Sequence, residues 1–208
     1  MNPDEISDVE PRDGLLCFRI VLCGPGCSGK SSLLKFVHSQ IDPERAEKLV
    51  SLDTDTGRTL FFDYLPVDLG LIPEVGRPVR LDVYTSPGQA FYDEARRIVL
   101  RGADAVAFVA DSDPARAPAN VEALENLKQA LAAWGMRYDE IPLVFVYNKR
   151  DLPDAVPLED LRAALNPGRR RPDFRAIASI GKGVRPMLEA LCAMVFERHL
   201  AVAGARRP

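Results

Sequence analysis

Residues Gly24 to Ser32 read GPGCSGKSS, which places two glycines, a lysine and a hydroxyl residue in the spacing GxxxxGK[ST]. These types specify a phosphate cradle. Glycines let successive backbone N–H groups turn inward, and the following helix offers its positive N-terminal end to an anion. Gly24, Gly26, Cys27, Ser28 and Gly29 would line the cradle, with Ser32 beside it at the helix start. Lys30 would neutralise the outer phosphates, and the Ser31 hydroxyl would ligate Mg²⁺. The context fits, because an apolar run ends at Cys23 and a helical pattern begins near Lys30.

A second chemical group lies far downstream. The tetrapeptide NKRD, Asn148 to Asp151, follows the apolar run LVFVY and so stands at the C-terminal end of a strand, where ligands bind in α/β sheets. An aspartate there can accept two hydrogen bonds from guanine's ring N–H and exocyclic amine, groups that adenine does not present. The wrong base would leave the carboxylate desolvated and unpaired. Lys149 would lay its aliphatic stem against the base. A third base-contacting segment is expected in IASIGKGV, residues 177–184, where Ala178 and Ser179 would offer backbone N–H groups to the guanine oxygen.

Elements must bring these groups together. Apolar runs at 15–23, 58–69, 79–85, 105–111, 141–148 and 174–179 alternate with segments whose apolar residues recur every three or four positions. Alternation of this kind reads as an α/β sheet with helices on both faces. AVAFVA and LVFV are apolar without alternation, as strands covered on both sides should be. The second and third runs are joined by GLIPEVGRP, too short for a crossover helix, so they form an antiparallel hairpin at one edge. The expectation is a P-loop fold with a six-stranded, mostly parallel sheet. Residues 1–14 and 201–208 are expected to be flexible tails around one domain at 15–200.

With 208 residues, 47% of them hydrophobic, the chain suits one domain, and a net charge of −3 gives no reason to expect nucleic-acid binding. Four cysteines without paired CxxC spacing argue against zinc and for a reducing, cytoplasmic setting. No apolar run is long enough to span a bilayer and no lipidation motif is present, so no direct membrane anchor is expected. The basic stretch GRRRPDFR from Gly168 reads as a solvated loop. Cys27 reads as a small side chain tolerated in a tight turn, against the sharper reading of a redox switch.

Together with LDTDTGRTLFFDYLPVDLG (52–70) and YTSPGQAFYDEARRIVLRG (84–102), these segments resemble the Ras-like small GTPases over nearly the whole chain after residue 14. Within that superfamily they are most similar to the bacterial MglA-type GTPases of gliding motility and cell polarity. The resemblance implies a G domain that holds GTP or GDP with Mg²⁺ and hydrolyses GTP. It makes Thr59 the threonine that meets Mg²⁺ and the γ-phosphate, Gly88 the glycine whose N–H senses that phosphate, and Gln89 the residue that orients the attacking water. It makes Arg58 an internal arginine finger, with a surface salt-bridge arginine as the plain alternative. It also implies a homodimeric roadblock-fold activator of the MglB type, effectors that bind the GTP form, and recruitment to a cell pole.

One departure concerns the metal. The usual aspartate before the second switch glycine is replaced here by Thr85 in TSPG. A hydroxyl cannot supply the missing charge, so Asp63 on the adjacent edge strand is the candidate replacement, reached through a shift of that strand's register, with an exposed edge-strand aspartate as the alternative. Thr85 also keeps open a reading from another class, a nucleotide-dependent scaffold with negligible hydrolysis.

Overall fold

The computed structural model describes residues 14–41, 50–51, 62–87 and 93–205. β1 (Leu16–Cys23) leads through the loop into α1 (Lys30–Gln40), followed by a two-residue strand β2 (Val50–Ser51) and the hairpin β3 (Asp63–Ile72) and β4 (Arg77–Thr85). Then come α2 (Asp93–Leu100), β5 (Ala105–Asp111), α3 (Ala117–Ala133), β6 (Leu143–Asn148), α4 (Leu158–Leu165), β7 (Asp173–Arg175) and α5 (Val184–Ala205).

The strands lie in the order β2-β3-β4-β1-β5-β6-β7. β1 pairs in parallel with β4 on one side and β5 on the other, while β3 runs antiparallel to β4. The six-stranded, mostly parallel sheet expected from the sequence is thus present, and β2 extends it beyond the hairpin edge. The hairpin turn is Pro73–Gly76, and a bulge between Asp68 and Gly70 bends β3.

Side-chain alternation on the central strands feeds two apolar layers. Ile20, Leu22, Val144 and Val146 face a layer closed by Leu33 and Leu34 of α1 and Met187 and Leu191 of α5. Val21, Phe108, Phe145 and Tyr147 face the opposite layer, closed by Leu100 of α2, Leu127 and Leu131 of α3 and Leu161 of α4. Both sheet faces are covered, which is why β5 and β6 are buried at every position.

α5 runs through Ala205, so the domain boundary expected at 200 falls inside a helix. Leu200 and three alanines in LAVAGA favour the helix, and no proline intervenes before Pro208. The last strand is shorter than its apolar run, three residues at 173–175, because Ile177 turns away to bridge Lys182. Among the described residues no helix is long and apolar enough to cross a membrane.

Candidate functional site

β1 lies where the chain order of the sheet reverses, and the loop leaving its C-terminal end occupies the crevice in which α/β sheets bind ligands. Two of its glycines are required by close approach. Gly24 has φ 138°, and a Cβ there would lie 2.1 Å from the Val109 carbonyl oxygen of β5. Gly29 has φ 97°, and a Cβ there would lie 2.2 Å from Asn148 Nδ2. Between them Cys27 takes the left-handed conformation, φ 63°, uncommon for a residue with a side chain and the kind of turn that makes N–H groups converge.

Carbonyls of this loop are held by side chains from three directions. Lys30 Nζ donates to the carbonyls of Gly24 at 3.0 Å and Pro25 at 2.7 Å. Asn148 Nδ2 donates to the Ser28 carbonyl at 2.7 Å. Arg116, in the short turn before α3, donates from Nη2 to the Gly26 carbonyl at 2.8 Å. Lys30 is buried, and desolvation pushes its ammonium down to about 8. Ser31 and Ser32 are exposed in the first turn of α1.

Asn148 joins the loop to the third segment as well. Its Oδ1 accepts from the Ala178 N–H at 2.9 Å, so a single buried amide ties Ser28 to Ala178 across the mouth of the sheet. The Ala178 N–H assigned to the base from sequence is therefore engaged by Asn148 in this structure, while Ser179 beside it is exposed. Lys149 adopts φ 61° and its Nζ reaches the fully buried carboxylate of Asp111 at 2.6 Å. That pair fixes Lys149 across the end of β5. Asp151 is exposed and carries no hydrogen bond or ion pair within the described residues, which leaves its carboxylate open to a base.

At the hairpin end, Thr85 Oγ1 accepts from the Asp63 N–H at 2.8 Å and lies 3.2 Å from Asp63 Oδ2. The Asp63 carboxylate therefore stands beside Thr85 in the observed register, and its charge is felt by Lys30. A carboxylate, the Ser31 hydroxyl and phosphate oxygens make an all-oxygen donor set of the kind Mg²⁺ takes. Arg58, Thr59, Gly88 and Gln89 lie outside the described residues.

Sequence reasoning missed Asp111 and Arg116. Both sit at or just after the C-terminal end of β5, and that placement was the available signal. Arg116, Gly26, Cys27 and residues of α3 also border a cavity of about 410 Å³. Cys23 is buried and its thiol is pushed up to about 11 by desolvation, whereas Cys27 is exposed.

No family model matches the chain. Among curated proteins, it is 48% identical over 177 residues to the mutual gliding-motility protein MglA of Myxococcus xanthus, an alignment that covers 85% of this chain and 89% of that protein.

Proposed function

The chain belongs to the MglA family of small GTPases, enzymes that hydrolyse GTP, and on that premise we propose how its residues divide the work. Gly24 to Ser32 cradle the phosphates, and Asp151 reads guanine with Lys149 and Ser179 beside the base. Ser31, Thr59 and Asp63 hold Mg²⁺, which would neutralise charge on the β- and γ-phosphates. Gln89 orients the attacking water, Gly88 senses the γ-phosphate, and Arg58 neutralises charge that develops on the transferring phosphoryl group. The chemistry is positioning and charge stabilisation around an in-line water, with no covalent intermediate.

The observation that best supports this reading is Asn148. One side chain hydrogen-bonded both to the phosphate loop and to the base segment makes the two halves of a guanine-nucleotide site into one unit. In the cell we take the protein to act in gliding motility or polarity, in the cytoplasm and recruited to a pole. Its activator is an MglB-type roadblock homodimer that orders the switch segments around Arg58 without donating an arginine, and its effectors read the GTP form. The switch domain in this reading begins at 15 and runs through the end of α5.

Turnover of the purified chain with Mg²⁺ and a roadblock partner tests the assignment. Arg58→Ala and Gln89→Ala are expected to lose stimulated turnover by roughly 10³-fold or more while GDP still binds. Asp63→Ala is expected to raise the Mg²⁺ concentration needed for half-maximal turnover. Full stimulated activity in the first two would remove the mechanism, and an unchanged Mg²⁺ requirement would remove Asp63 from the metal site.

A further inference from the structure

We propose that Arg116 is a positioning residue of the phosphate loop: by holding the Gly26 carbonyl outward it turns the Cys27 N–H inward to the bound phosphates. A trans peptide unit is planar, so its C=O and N–H point in opposite directions, and whatever fixes one fixes the other. Arg116 Nη2 holds the Gly26 carbonyl at 2.8 Å from a position 90 residues away in the chain. The N–H on the far side of that peptide belongs to Cys27.

Three further observations support the assignment. Cys27 sits at φ 63°, a conformation that is costly for a residue with a Cβ and persists only where its surroundings enforce it. Gly26, before it, has no positive φ and lies with Cys27 in a turn, the setting in which neighbouring N–H groups can converge on an anion. Arg116 also accepts a penalty to reach the loop, since its Nε is buried with no hydrogen-bond partner among the described residues. An arginine serving only solubility would keep that donor in water.

Other carbonyls of the loop are held as well. Lys30 holds those of Gly24 and Pro25, and Asn148 holds that of Ser28. Lys30 is itself a phosphate ligand in the reading above, so its bonds to the loop compete with its bond to the nucleotide. Arg116 is not required by the phosphates and can hold its carbonyl throughout the cycle. It stands just before α3, so it also transmits the position of that helix to the loop.

This inference rests on the loop being the GTP site, and the test separates the two. Binding of a fluorescent GDP, and its competition by GMP, are measured on the full chain with Mg²⁺ for wild type, Arg116→Ala and Arg116→Lys. Loss of one hydrogen bond from a charged donor predicts a GDP affinity lower by about tenfold or more in Arg116→Ala. The GMP affinity changes much less, so the GDP-to-GMP ratio falls. Arg116→Lys keeps a donor and the charge and recovers most of that ratio; it carries the test alone if the alanine variant does not fold. Wild-type affinity in Arg116→Ala, an equal loss of GDP and GMP, or a lysine variant no better than alanine would each overturn the positioning role. A wild-type chain that fails to bind GDP would overturn the reading of the loop itself.

Discussion

Lys30, the proposed phosphate ligand, is held in a setting hostile to its own charge. Buried among loop carbonyls, its ammonium titrates at about 8 in place of its ordinary 10.5, with desolvation as the main cause. Between those two values the unfolded chain binds more protons than the folded one. The nucleotide-free protein therefore gains stability as pH rises through that window, and the contribution is constant below it. Phosphate favours the charged form, so nucleotide binding runs the other way. At pH 9 the phosphates are fully ionised, since their last proton leaves near a pKa of roughly 6, and Lys30 must pick up a proton to bind them. Calorimetric titration with GDP at pH 9 in two buffers of different ionisation enthalpy should show uptake approaching one proton. Uptake near zero at pH 9 would mean that the nucleotide does not meet this ammonium. The motif made the lysine legible in the sequence; its burial was not, because it arises only in the folded site, where groups remote in the chain such as Arg96 and Asp63 also act on it.

At the scale of elements, the site is where β1, β5 and β6 end together. The sequence made those strands readable because AVAFVA and LVFV are apolar on both faces, and the hairpin was readable because its connection is too short to cross over. The two-residue strand β2 was not, since Val50 and Ser51 carry no periodicity and gain their identity only by pairing with Tyr64 and Asp63. Nor did NKRD disclose that its asparagine is a clasp between elements. Asn148→Ala removes both bonds of that clasp and leaves the buried Ala178 N–H without a partner. Two buried hydrogen bonds lost predict GDP dissociation faster by about 10- to 100-fold, measured by chase of a fluorescent nucleotide. A dissociation rate within twofold of wild type would show that loop and base segment hold their geometry without it.

For the molecule as a whole, the proposed site makes the nucleotide a structural component shared by the loop, the hairpin end and the base segments. A ligand that binds only the folded chain stabilises it by about 2.7 kcal/mol at a concentration a hundred times its dissociation constant. For a domain of this size that corresponds to roughly 5 to 10 °C in melting temperature. Thermal unfolding with GDP and Mg²⁺ should show this rise, and ADP at the same concentration should show none, because an open carboxylate at Asp151 finds no pair of donors on adenine. Equal shifts from both nucleotides would refute guanine selection.

The contact between Thr85 and Asp63 carries a consequence for how such a chain can change over generations. The Thr85 hydroxyl can both receive the Asp63 N–H and donate to its carboxylate, which a second carboxylate could not do without repulsion. Restoring an aspartate at 85 would set two anions across a strand pair at hydrogen-bonding distance, so the two positions are not free to drift separately. The side chain at 85 and the strand residue at 63 thus constrain each other, and a substitution at either is expected to be felt at the other.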